Sequence, residues 1–322
     1  MKPAVLTLFP LFCDRAVFQR DQPIAIWGNS VPNDTIEIEF RGERNRTIAD
    51  CSGRWLLYLR KQASSSEGAQ LKVSCGNGSL FLKDIVVGDI WVCSGQSNME
   101  FEVCECMEAE SEIADSNFPL IRHFKVPKNV ASTPADFIQS EGWVQASTAS
   151  TKAFTAIGYF FAREIYTKLG VPIGIINSTW GGTPIESWLP EATLRKSAAF
   201  GEFRSRWELD LKSFHVRMAR HPAEHSAWMS SLTIARETRT KNPIPWPHPP
   251  IGPGTEYAPG ALFNCMVAPL TAVAIRGILW YQGESNVDRP SEYAELFPAL
   301  IQSWRSAWAT KDFPFLFVQL AN

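Results

Sequence analysis

The chain has 322 residues, with 31 Lys and Arg against 33 Asp and Glu, a formal net charge of -2, 45% hydrophobic residues and 20% charged ones. That composition is ordinary for a soluble globular protein long enough for two domains. It gives no electrostatic reason to expect nucleic acid or an anionic membrane as partner, and no apolar run approaches the ~20 residues needed to cross a bilayer. Seven cysteines at irregular spacings imply no disulfide framework. Cys104 and Cys106 lack the second close pair that a zinc ribbon needs, so no metal is expected. Cys51, Cys75, Cys93 and Cys265 read as free buried thiols, and most of the twelve tryptophans as core.

In chain order, the apolar run Ala4 to Phe12 lacks a small-residue cleavage site and passes straight into Cys13-Asp14-Arg15, so it does not read as a signal peptide. The compartment stays unknown. Residues 1–83 read as short strands separated by turns: Ile24–Gly28, Thr35–Phe40, Trp55–Leu59 and Leu71–Cys75, with breaks at Gly28-Asn29-Ser30, Pro32-Asn33-Asp34, Ser52-Gly53 and Gly76-Asn77-Gly78. This predicts a small all-β, sandwich-like domain, either a sugar-binding module or a structural cap.

From Asp84 to residue 322, strands alternate with helical patterns, the mark of a parallel sheet with helices on its faces. Thr155–Leu169 reads as an amphipathic helix stopped by Gly170 and Val171-Pro172. Glu191–Arg220 reads as a charged helical excursion over the active-site face. Lys241–Pro250, interrupted by five prolines, reads as a long exposed loop. Pro290 to Trp308 predicts another helix with Pro in its first turn, and Phe313–Leu320 a further sheet strand.

Three stretches carry the chemistry, each an apolar strand followed by a polar, Gly-rich loop. They are Ile90 to Glu100 with Ser97 at the tip, Ile173 to Trp188 with Gly181-Gly182, and Ile278 to Asn286 with Gln282-Gly283-Glu284. Loops leaving the carboxyl ends of parallel strands face the crevice where open α/β sheets place their ligands. Acyl transfer through serine needs a nucleophile and donors aimed at the developing oxyanion. The N–H groups of Ser97 and Gly182 and the amide of Gln282 are candidates for those donors.

The runs "GDIWVCSGQSNME", "NSTWGGTPIESW" and "GILWYQGESN", with "FCDRAVFQRDQPIAIWG" and "LFNCMVAPL" in the same order, resemble the sialate O-acetylesterases, a carbohydrate acetylesterase branch of the SGNH-hydrolase superfamily. The resemblance implies a three-layer α/β/α, flavodoxin-like parallel sheet after the small β domain. It also implies Ser97 as nucleophile, Gly182 and Gln282 as oxyanion donors, and Gln96, Gly181, Glu284 and Asn286 as supports. The implied substrate is an acetylated sugar, sialic acid being favoured, with no cofactor.

The family's D-x-x-H block, which carries the general base and its orienting acid, is not found: no aspartate here is followed three places later by histidine. The chain therefore reads as a family member ending early, incomplete at its C-terminus. None of His123, His215, His221, His225 and His248 is assigned as base. The alternative is an inactive or carbohydrate-binding relative that keeps the pocket. An uncovered strand from Phe313 to Leu320 would expose apolar surface and invite self-association.

Overall fold

The computed structural model describes residues 6–76, 78–308 and 312–320. Asn77 of the expected Gly76-Gly78 turn, the start of the run from Ala4, and Ala321-Asn322 lie outside the described residues. The strands are β1 (Thr7–Leu8), β2 (Val17–Gln19), β3 (Ile24–Asn29), β4 (Thr35–Phe40), β5 (Glu43–Ile48), β6 (Arg54–Leu59), β7 (Ser65–Cys75), β8 (Gly78–Gly95), β9 (Phe118–Lys125), β10 (Trp143–Ala146), β11 (Ile173–Thr179), β12 (Gly277–Tyr281) and β13 (Phe315–Phe317). The α-helices are α1 (Ser97–Glu100), α2 (Ala109–Ala114), α3 (Ala156–Leu169), α4 (Ile185–Trp188), α5 (Glu191–Lys196), α6 (Phe200–Thr238) and α7 (Pro290–Ala307).

In the N-terminal part, β1, β3 and β6 form one antiparallel sheet, while β5, β4, β7 and the first half of β8 pair antiparallel in another. Alternation decides the burial. Ile36, Ile38 and Phe40 point inward from β4, and Trp55, Leu57 and Leu59 from β6, into one shared apolar cluster. The polar strand β5 carries no apolar alternation that would announce it; pairing with β4 holds it, aided by an Arg46–Glu37 ion pair at 2.6 Å.

β8 continues without a break into the second sheet, so the expected boundary between residues 83 and 84 falls inside a strand. It is marked by a bulge. Asp84 has φ of 58°, and the register against β7 shifts there. Arg122 on β9, only 1% exposed, spans the joint by donating to Asp84 Oδ1 at 3.0 Å and to the Asp84 carbonyl at 2.5 Å. Burial pushes its guanidinium pKa down, against the pull of Asp84.

Beyond the joint the parallel strands run in the order β9, β11, β8, β12, β13, with β10 antiparallel on the outer edge of β9. By order of appearance this is 2-3-1-4-5 rather than the flavodoxin-like 2-1-3-4-5: the chain visits the far side of β11 before returning to fill the position beside β8. Successive residues face opposite sides. Trp91, Cys93, Ile175 and Leu279 join a core with Ala156, Tyr159 and Ala162 of α3, while Val92, Ile176, Ile278 and Trp280 join one with Leu296, Leu300 and Trp304 of α7.

α3 ends on Gly170 in the left-handed conformation, as helices commonly do. The helical excursion extends past Arg220 to Thr238 and tolerates Pro222. Residues 241–250 have no regular structure beyond a bend. The expected last strand shortens to β13, whose Leu316 and Phe317 are 45% and 56% exposed. Cys51 is exposed and Cys75 half-buried, correcting the reading of both as buried; Cys93 and Cys265 are buried, and all seven thiols are free.

Removing the cation from a buried pair leaves its partners unsatisfied, typically at a cost of about 3 kcal/mol. Arg122→Met is expected to lower the unfolding free energy by about 2–3 kcal/mol, measured by urea denaturation. Half-exposure of Asp84 keeps the loss below that of a fully buried pair.

Candidate active site

The site begins with a level. Gly95, the last residue of β8, is paired with Thr179 at the end of β11 on one side and with Tyr281 at the end of β12 on the other. Three loops therefore leave neighbouring strands at one height, at the point where the chain switches from one side of β8 to the other. Gly95 has φ of 136°, and a Cβ there would lie 2.1 Å from the Tyr281 carbonyl oxygen, so the turn and the close approach both require glycine.

Ser97 is exposed and opens the single-turn α1. The three loops are tied together pairwise. Gln96, buried, accepts from the N–H groups of Gly283 and Ser285 at 3.2 Å each, and Asn98 donates to Glu284. Glu100 accepts the Gly181 N–H at 2.7 Å, drawing the second loop against the first: a Cβ on Gly181 would lie 3.3 Å from that of Ser97. Asn286 accepts the Ile185 N–H at 2.9 Å and donates to Glu186 at 2.9 Å, joining third loop to second.

Thr183 holds the second loop in shape, donating to the Trp180 carbonyl at 2.7 Å and accepting from Trp188 Nε1 at 2.9 Å. Gly182, at φ of 77°, is exposed on that loop. Among the described residues neither its N–H nor that of Ser97 has an acceptor. Those two donors are free for an incoming oxygen.

Gln282 is different. It is buried, and its two amide hydrogens go to the Thr183 carbonyl at 3.1 Å and to Asn286 Oδ1 at 2.9 Å. Asn286 cannot be reversed to free them, because Ile185 N–H and Glu186 fix its orientation. The expected oxyanion donor is therefore a brace between second and third loops. Its backbone is held from behind by Tyr293, whose hydroxyl donates to the Gln282 carbonyl at 2.9 Å and whose pKa burial raises to about 12.

Several residues of the site were not singled out from sequence. Glu100 and Glu186 lie within the quoted stretches, where an acidic residue after a Gly-rich turn is the available signal. Arg206 on α6 donates to both carboxylate oxygens of Glu292, at 2.5 and 2.6 Å, and with Arg289 stands 3.6 Å from Glu186. Nothing local in a long charged helix predicts that contact. Tyr257 comes from the loop before residues 263–267; its hydroxyl, without a hydrogen-bond partner among the described residues, would lie 3.8 Å from a Cβ on Gly182.

No described histidine bonds to Ser97. His123 pairs with Ile175, itself level with Trp91, which places it about 13 Å short of Gly95 along the strands. Its ring stacks on Phe154 at 4.5 Å. His215, His221 and His225 lie on α6, where His225 packs beside Trp228 and Trp246, and His248 lies in the proline-rich loop. The described residues include no group of three His, Cys, Asp or Glu able to hold a metal, and no helix long and apolar enough to cross a membrane.

The chain is thus an α/β protein that presents a serine just past the carboxyl end of a central parallel strand, with the N–H groups of Ser97 and Gly182 lacking acceptors among the described residues. Residues 87–218 and 253–322 match the family described as "Carbohydrate esterase, sialic acid-specific acetylesterase", and the chain belongs to that family. The rat sialate O-acetylesterase is 28% identical over 98% of this chain and 60% of its own length; the human one is 27% identical over 92% and 53%. A crystal structure of a carbohydrate acetylesterase from Xanthomonas citri, XAC1771, is 34% identical and superposes with a TM-score of 0.79 over 99% of this chain and 61% of that one. The chain thus spans 53% to 61% of the length of these relatives.

Burial, and secondarily Lys125, depresses the His123 pKa to about 3 from its ordinary 6.5. The folded protein holds this ring neutral while the unfolded chain protonates it, so stability is fully present above pH 6.5 and is lost as pH falls toward 3. His123→Phe should therefore remove acid sensitivity worth about 2 kcal/mol between pH 7 and pH 5, read from urea midpoints at the two pH values.

Proposed function

We propose that the chain carries the acyl-transfer site of a carbohydrate O-acetylesterase, sialate esters being the favoured substrates, on a three-layer SGNH-type domain from residue 84. Residues 1–83 form a β-sandwich-like partner domain in the same reading. The observation that carries the proposal is the shared level of Gly95, Thr179 and Tyr281, with the N–H groups of Ser97 and Gly182 on the first two of the loops that follow left without acceptors among the described residues.

Ser97 Oγ attacks the acetyl carbonyl carbon as its proton passes to a general base, which returns that proton to the departing sugar oxygen. The oxyanion accepts the N–H groups of Ser97 and Gly182, and the Tyr257 hydroxyl supplies the third donor in place of Gln282. Collapse of the intermediate expels the sugar oxygen, which takes up a proton. Water then attacks the acyl-serine and releases acetate, so the steps balance without a cofactor. Gln96, Gly181, Glu284 and Asn286 hold the three loops in register. The 322 residues contain no D-x-x-H, and no histidine is given the role of base.

A second reading is favoured by one observation: the Ser97 hydroxyl has no hydrogen-bond partner among the described residues. In that reading the chain binds acetylated sugars without hydrolysing them. Self-association through the exposed edge at Leu316 and Phe317 is part of the proposal for partners.

Hydrolysis of p-nitrophenyl acetate and of O-acetylated sialic acid separates the two readings. Ser97→Ala is expected to abolish activity on both, and Tyr257→Phe to lower kcat by about a hundredfold to a thousandfold, the range for loss of one oxyanion donor. Equal near-background rates for the parent chain and Ser97→Ala would leave the binding reading in place.

A further inference from the structure

A cleft of roughly 760 Å³ opens beside the site, and no step of the acyl transfer uses it. Its walls come from the carboxyl ends of three adjacent strands: Glu100 after β8, Thr179 ending β11, and Lys125 to Lys128 at and beyond the end of β9. The segment Gln139 to Gly142, leading into β10, closes the far side, and His123 lies among the lining residues. This is the crevice in which open parallel sheets bind their ligands, and its volume lies in the range of small-molecule sites.

The cleft and the serine loop share Glu100, three residues after Ser97, and Lys128 is paired to it. Its ammonium pairs with Glu100 at 2.5 Å and lies 5.7 Å over the ring of Trp180. Trp180 precedes Gly181, which packs against Ser97. Lys128 therefore contacts both Glu100, which accepts the Gly181 N–H, and Trp180, the residue before Gly181.

The lining is mixed: Val126, Pro127 and Val144 stand beside polar side chains whose hydrogen-bonding capacity is underused. Lys125 and Lys128 each spend one contact on a carboxylate, Glu102 and Glu100 respectively, and keep other N–H donors. Gln139 is exposed, and its amide has no partner among the described residues. Ser140 accepts the Gly142 N–H at 3.0 Å. Donors and acceptors on one concave wall match an array of sugar hydroxyls better than a long acyl chain.

We propose that this cleft holds the sugar from which the acetyl group is removed, with Lys128 and Gln139 as its specificity-determining contacts. The inference rests on the esterase reading for its chemistry, but it assigns a separate set of residues. Small acetyl esters without a sugar bypass the cleft; sugar esters occupy it.

The test compares p-nitrophenyl acetate with O-acetylated sialic acid in the full chain, Gln139→Ala and Lys128→Met. The expected result is a KM for the sugar ester raised about tenfold in each variant with kcat little changed, and, for Gln139→Ala, p-nitrophenyl acetate turnover within about twofold of the parent. An unchanged KM for the sugar ester, or equal losses on both esters in Gln139→Ala, overturns the proposal. If the parent chain hydrolyses neither ester, the esterase reading fails and the cleft is tested by binding. Saturation-transfer NMR with deacetylated sialic acid then shows contact in the parent and in Ser97→Ala, and loss in Gln139→Ala. Absence of contact in the parent, or its persistence in Gln139→Ala, counts against the cleft.

Discussion

Parallel pairing of β8 with β11 and β12 is the constraint on which the site depends. Parallel ladders admit no tight hairpin, so each neighbour of β8 must arrive by a crossover. The three strands end together because their hydrogen bonds set Gly95 level with Thr179 and Tyr281. A slip of one residue in either pairing would turn alternate side chains to the wrong face of the sheet and mix the two apolar cores. The register that protects the core therefore also aligns the loops.

Within that frame, polar side chains replace what would otherwise be loose loop ends. Gln96, Glu100, Gln282 and Asn286 each make at least one hydrogen bond to another loop's backbone. Such a network holds its geometry because buried polar atoms are costly to leave unpaired. The Ser97 and Gly182 N–H groups are left outside it, without acceptors among the described residues. Behind the loops, Arg206 carries the network to α6 through Glu292 and Glu186, so a distant helix braces the same turn.

The N-terminal sheets are coupled to this assembly through one continuous strand. β8 serves the antiparallel sheet up to Asp84 and the parallel sheet after it. The left-handed residue at Asp84 turns the strand, and the buried guanidinium of Arg122 fastens that turn to β9. Position and orientation of the serine loop are thus referred to both sheets at once.

The sequence by itself determined the elements whose signals are local. Alternation in Thr35–Phe40, the Gly170 and Pro172 stop after α3, the prolines of 241–250, and three apolar strands running into Gly-rich loops are all consequences of side-chain period and backbone permission. It also singled out Ser97, Gly182, Gln96 and Asn286, because they sit inside those loops. Tertiary structure alone decided what each does with its hydrogen bonds. The amide of Gln282 looks the same in sequence whether it faces an oxyanion or the Thr183 carbonyl. Likewise β5, the 2-3-1-4-5 strand order, Arg206 against Glu292, and Tyr257 over Gly182 join residues far apart in the chain. Periodicity reports which face of an element is apolar; it carries no record of which distant element covers that face, and the site is assembled from those distant contacts.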